Sequence, residues 1–164
     1  MPAYLDANGD ANIGVTNMAF SPDGRVAWAA TAIDPEDGTC DSLTFPVLWS
    51  SHDYGETWSG PYMVNFKNYQ VIKDTLRLID PTTGQQVNFD LPQVSSSGSF
   101  DIAVDKNGNP HLFIGALNAY TDACTNPDSA RFIATGAVAF FDITCTNCGQ
   151  PGGNYNWDPK FIAY

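Results

Sequence analysis

Ser51-His52-Asp53-Tyr54-Gly55-Glu56-Thr57-Trp58 reads as a tight hairpin turn between two apolar runs, about Leu43 to Ser50 and Thr57 to Phe66. The spacing explains itself chemically. A carboxylate at Asp53 can accept hydrogen bonds from the backbone N–H groups of its own turn. Gly55 supplies a positive φ that other residues resist. Thr57 opens the return strand, and Trp58 lays an apolar body beneath the hairpin while keeping an N–H for a partner. His52 and Tyr54 carry none of this and are expected to face solvent. The flanking runs are then two antiparallel strands.

Working outward, period-2 patterns dominate and no amphipathic helix stands out. Upstream, Val15 to Ser21 reads as a strand, Pro22-Asp23-Gly24 as a turn and Arg25 to Ile33 as the return strand. A loop from Asp34 to Asp41 leads into the strand before the Ser51 turn. The same grammar returns downstream. Ser99 to Asp105 is a strand, Lys106-Asn107-Gly108-Asn109 a turn, and Pro110 to Leu117 the return strand. After the loop Asn118 to Ala130 come a third strand, Arg131 to Ile143, a Gly- and Cys-rich turn, Thr144 to Asn156, and a fourth strand, Asp158 to Tyr164. Phe20-Ser21-Pro22-Asp23-Gly24 aligns with Val104-Asp105-Lys106-Asn107-Gly108, a period of about 84 residues. A four-stranded propeller blade needs only ~40–50 residues. The excess, 67–98, reads as an inserted hairpin with arms Tyr69 to Asp80 and Gln85 to Leu91 around Pro81-Thr82-Thr83-Gly84.

The expected fold class is therefore all-β, a partial antiparallel β-propeller over residues 1–164. Its parts are a blade at 15–66, the inserted hairpin or linker at 67–98 and a second blade at 99–164. The competing arrangement is a plain β-sandwich.

The octet resembles the Asp-box, S-x-D-x-G-x-T-W, of sialidase-like (BNR-repeat) propellers, with Ser51, Asp53, Gly55, Thr57 and Trp58 at every fixed position. The resemblance implies a turn between the third and fourth strands of a blade, where this octet falls, and a structural role away from any active site. Ser99 to Asp105 with Asn107-Gly108-Asn109-Pro110-His111-Leu112, and Met18 to Gly24, are similar to blade openings in large secreted proteins of Bacteroidota, often type IX secretion substrates. Two blades cannot close a ring of four to eight, so the chain is expected to be a segment of something longer. Met1-Pro2-Ala3-Tyr4 has neither the basic region nor the apolar stretch of a signal peptide, which fits that expectation.

Composition narrows the function classes. Seven Lys and Arg against 18 Asp and Glu leave a net charge of −11. Phosphate neutralisation needs clustered cations, so no nucleic-acid partner is expected. No apolar run approaches the ~20 residues of a membrane span.

No catalytic set is legible. A sialidase site, as the resemblance implies it, needs three arginines on the substrate carboxylate, a Tyr–Glu nucleophile pair and an acidic Asp. The three arginines here, Arg25, Arg77 and Arg131, stand in three unrelated contexts. There is no G-x-S-x-G and no phosphate loop. Two histidines, His52 and His111, are too few for a histidine metal site.

The four cysteines admit a redox pair, half a zinc site, or disulfides. Cys145-Thr146-Asn147-Cys148 is followed by loop residues and not by the helix that a redox C-x-x-C uses. No second C-x-x-C completes a zinc site. Disulfides are the expected state: a local Cys145–Cys148 clip and a Cys40–Cys124 staple between equivalent loops.

Asp6, Asn8 and Asp10 alternate oxygen side chains as calcium loops do, and Asp34, Glu36, Asp37 and Asp41 form a second acidic loop. Both depart from an EF-hand, so no metal or other cofactor is expected, calcium being the only weak alternative.

The reading that results is a non-catalytic scaffold or binding module of a secreted or cell-surface bacterial protein, passing the periplasm and outer membrane in transit. The alternatives are part of a sialidase-like glycoside hydrolase and a structural component or cargo of an outer-membrane secretion assembly. The expected partners are the remaining blades of the same polypeptide, with glycans or secretion proteins beyond them.

Overall fold

The computed structural model describes residues 16–33, 44–79, 82–84, 86–87, 91–94, 100–121, 132–151 and 155–164. Four strands, β1 (Asn17–Phe20), β2 (Ala27–Ile33), β3 (Phe45–Ser51) and β4 (Ser59–Met63), form an antiparallel meander in chain order. A second meander follows with β8 (Phe100–Val104), β9 (Pro110–Thr121), β10 (Phe132–Cys145) and β11 (Trp157–Ala163). β7 (Leu91–Val94) extends it, pairing with the far half of β9 while β8 takes the near half. These strands lie within a residue or two of the expected ones at most boundaries, because alternation and turn residues agree along them.

The inserted segment differs. Gln70–Thr75 is a helix, α1, entered through a 3-10 turn at Phe66–Asn68. The expected long hairpin shrinks to a two-residue pair, β5 (Leu78–Ile79) with β6 (Gln86–Val87). Local capping and the core both favour the helix. Asn65 Oδ1 accepts from Lys67 N–H at 2.9 Å, Gln70 bonds Asp74 four residues on at 2.8 Å, and Ile72 and Leu76 share one buried face. Val71-Ile72 is β-branched and reads as strand by propensity, but burial at i and i+4 wins.

One hydrophobic core lies between the two meanders. Trp28, Ala30 and Leu48 come from the first sheet, and Ile102, Leu112, Ile114, Phe141, Ile143 and Trp157 from the second, with Phe66, Ile72 and Leu76 beneath. Trp28 is fully buried at the centre. Its ring meets Tyr62 at 6.0 Å, Tyr155 at 5.6 Å and Trp157 at 6.1 Å, and its Nε1–H donates to Gly108 O at 3.1 Å.

The ladders fix how the sheets face each other. Phe20 pairs with Ala27 across the first turn, and Val104 with Pro110 across the second. The first turn is one residue longer, so beyond it the two hairpins correspond as Trp28 to His111 and Ala29 to Leu112. A one-residue offset exchanges the two faces of a strand. Trp28 therefore marks the front of the first sheet, while Leu112 lies on the back of the second. The sheets stack in the same sense, front on back. The back of the first sheet carries its own small cluster, Ile33, Val47 and Trp49 with Trp58 against them.

Candidate functional site

The Ser51–Trp58 turn joins β3 to β4 and is closed by side-chain hydrogen bonds. Ser51 Oγ donates to Asp53 Oδ1 at 2.8 Å and accepts from Gly55 N–H at 2.9 Å. Asp53 Oδ1 also accepts the Thr57 backbone N–H at 2.9 Å, and Oδ2 accepts the Thr57 hydroxyl. Gly55 takes φ +89°. Trp58 Nε1–H donates to Gly55 O at 3.1 Å, which holds the indole under the turn. The Thr57 hydroxyl, then its amide, then Ser51 lower the Asp53 pKa to about 2, because each bond favours the charged form. Every polar atom of the carboxylate is thus engaged within the turn.

His52 departs from the expectation of a solvent-facing ring. Both ring nitrogens are shielded from solvent. Burial, and next the Arg25 charge, push its pKa below 6.5, against the Gly149 backbone and the Asp53 charge. The cause is a crowded neighbourhood: Tyr54 N–H donates to Arg25 O at 3.0 Å, so the Ser51 turn leans onto the β1–β2 turn. Tyr54 is exposed as expected.

The β1–β2 and β8–β9 turns repeat one chemistry with different residues. Ser21 N–H donates to Val26 O at 2.7 Å, and Gly24 N–H to Ser21 O at 2.8 Å. In the second turn Asp105 N–H donates to Asn109 O at 2.9 Å, and Gly108 N–H to Asp105 O at 3.0 Å. Ser21 Oγ accepts from Val26 N–H, and Asp105 Oδ1 accepts from Asn107 and Asn109 N–H. Burial raises the Asp105 pKa, but its bonds from Asn109 and Asn107 outweigh that and the net shift is downward.

Cys145 and Cys148 form a disulfide, Cα–Cα 5.6 Å, and both are fully buried. The β-ladder gives this hairpin a counterpart. Ser50 pairs with Trp28 and Ser59, and Thr144 with His111 and Asp158. Ser51 then corresponds to Cys145 and Trp58 to Trp157. The second sheet closes its third hairpin with a covalent bond where the first uses Ser51, Asp53 and Thr57.

A polar cluster on the front of the second sheet was not singled out in the sequence. His111 Nδ1 lies 3.4 Å from Asp142 Oδ2 and 3.3 Å from Thr144 Oγ1, and Thr144 Oγ1 is 3.2 Å from Asp142 Oδ1. The signal was there, since alternation puts His111 with Phe113, and Asp142 with Thr144, on one face. The cluster is no nucleophile relay. Threonine and carboxylate share one ring nitrogen, whereas a relay sets nucleophile and orienting acid on opposite ones.

Arg25 and Arg77 do not converge. Arg25 lies at the β1–β2 turn beside Asp23, 3.9 Å away. Arg77 follows α1, at the other end of the sheets, where Leu76 O accepts from Asn118 Nδ2 at 3.3 Å. Arg131, Cys40, Cys124, Asp6, Asn8, Asp10 and the acidic loop Asp34, Glu36, Asp37 and Asp41 lie outside the described residues. Among the described residues, no group of three or more His, Cys, Asp or Glu is placed to hold a metal ion, and no helix is long and apolar enough to cross a membrane. No protein-family model and no curated protein matches the chain.

Proposed function

We propose that the chain is a non-catalytic scaffold or binding module, a segment of an Asp-box β-propeller in a secreted or cell-surface protein. The observation that carries the reading is the front-on-back stacking of two like meanders. Two sheets meeting by equivalent faces, as in a two-sheet sandwich related by a twofold, satisfy each other and stop. Front-on-back stacking is a head-to-tail operation that further sheets can continue, and rings close by such repetition. The hydrogen-bonded Ser51–Trp58 turn, at the third hairpin of its sheet, supports the Asp-box resemblance. The Cys145–Cys148 disulfide supports an oxidising compartment.

The front of the second sheet gives the module its distinct surface. His111, Asp142 and Thr144 stand where the first sheet has Trp28, Leu48 and Ser50. A further blade or a glycan at that face meets these hydrogen-bonding groups beside the exposed rings of Phe113 and Phe140.

Two measurements on the purified chain test the reading. Nuclear Overhauser contacts should join the Trp28 indole to Trp157; contacts between the Trp28 and His111 rings would mean that equivalent faces meet, and would sink the propeller. Fluorogenic sialosides should show no turnover. Turnover abolished by Arg25→Ala would replace the scaffold reading with a hydrolase.

A further inference from the structure

The third hairpin of the second sheet does more than close its own turn. Cys148 and Gly149 both donate backbone N–H to Asn109 Oδ1 at 3.2 Å. The Asn109 amide donates in turn to Asp105 Oδ2 at 3.2 Å, so one side chain ties the disulfide hairpin to the β8–β9 turn. Gly108 is pressed between them and the first sheet. A Cβ there would stand 2.8 Å from Val26 Cγ2 and 3.1 Å from Gly149 Cα. Gly108 also presents the carbonyl that receives the Trp28 indole. On the other side, Cys145 pairs with Trp157, whose ring stands edge-on to Trp28.

We propose that the Cys145–Cys148 disulfide is a redox-sensitive clasp on the contact between the two sheets, tight when oxidised and loosened when reduced. A dithiol reductant supplies the chemistry. When local opening of the hairpin admits it, its thiolate attacks one protein sulfur, the S–S bond breaks and a mixed disulfide forms. The reductant's second thiol then displaces the protein sulfur. The protein gains two electrons and two protons as two thiols, and the reductant leaves as a disulfide.

Two sulfurs that were bonded must then separate to van der Waals contact in a site with no free surface. The hairpin yields, and the backbone it moves is that of Gly149, packed on Gly108. The Ser51–Trp58 turn meets Gly149 only through His52, and its own closure, including the Trp58 bond to Gly55, uses no group that a reductant attacks. The molecule thereby holds one redox-sensitive hairpin and one indifferent to redox, at corresponding places in two sheets. The inference stands on the inter-sheet contacts and does not depend on the propeller reading.

The two indole N–H groups provide the test, since Trp28 bonds Gly108 O and Trp58 bonds Gly55 O. The ¹⁵N-labelled chain is compared before and after reduction with dithiothreitol, with thiol content checked by mass. Cys145→Ser/Cys148→Ser serves as a permanently open form. Reduction and the double variant should both speed Trp28 indole exchange about tenfold or more and move its resonance, leave Trp58 unmoved, and reverse in the wild type on reoxidation. Asn109→Ala, which cuts the tie while the disulfide stays closed, should move Trp28 in the same direction. An unmoved Trp28 in the fully reduced chain would mean the disulfide only staples its own hairpin. Joint loss of the Trp28 and Trp58 signals would mean it holds the whole fold, and either result overturns the clasp.

Discussion

Asp53 and His52 are neighbours in one turn, and acid acts on both in the same direction for different reasons. The Asp53 carboxyl, held at about 2, is stabilised as the anion by Thr57 and Ser51. A carboxyl whose folded pKa lies below its free value adds stability that is complete above the free value, near 3.8, and is lost as pH falls through the folded one. Half-buried beside Arg25, His52 titrates below 6.5. Protonation therefore favours the unfolded chain, and stability starts to fall once pH drops under 6.5. The acid limb of a thermal-stability profile should show two steps, one beginning just below pH 6.5 and one between about pH 4 and 2. His52→Gln should remove the first step and leave the second. Asp53→Asn should shrink the second and lower the melting temperature at neutral pH by a few degrees. A profile with His52→Gln unchanged near pH 6 would mean that the ring is solvated. The turn chemistry of Asp53 was legible in the sequence because every partner lies within four residues. His52 was not, because Arg25 and Gly149 reach it from other turns.

At the scale of elements, agreement followed locality. β1 to β4 and β8 to β11 emerged from alternation bounded by Pro-Asp-Gly, Asn-Gly and the Ser51 octet, all short-range signals. The helix Gln70–Thr75 escaped because its only strong cue is the burial of Ile72 and Leu76, which depends on the core above them. The turns themselves differ in what they tolerate, and glycine substitutions separate the causes. Gly84 and Gly108 both have positive φ, +65° and +83°. A Cβ at Gly84 meets nothing within 4 Å, while one at Gly108 meets Val26 at 2.8 Å. Gly84→Ala should then cost about 1 kcal/mol for the backbone alone. Gly108→Ala should cost roughly 2–4 kcal/mol, because displacement of the β8–β9 turn adds to the same backbone strain. Urea titration of both variants gives the comparison. Equal costs would mean that the contact between Gly108 and the first sheet carries no stability.

The whole molecule turns on a difference of one residue. Counting along the chain from Gly24 to Gly108 sets Trp28 opposite Leu112 and makes both sheets offer the same face to the core. The hydrogen-bond ladders set Trp28 opposite His111 and make the stack run front on back. No composition or periodicity reveals that slip, since both registers alternate equally well; the length of a turn decides it. Trp28 is where the consequence gathers. It belongs to the first sheet, yet it touches Trp157 of the second and bonds Gly108 in the β8–β9 turn. Trp28→Ala removes the largest fully buried side chain of that shared core, at a cost of about 3–5 kcal/mol. In a chain of this size that lowers the melting temperature by ~10 °C or more. Because the core is shared, the loss should fall on both sheets at once, with amide protection in β2 and β9 declining together through a single calorimetric transition. Tyr54→Ala, at an exposed ring of the same sheet, should stay within ~0.5 kcal/mol. If β9 kept its protection in Trp28→Ala while β2 lost it, each sheet would be stable by itself, and the stacking would be a contact between two independent units.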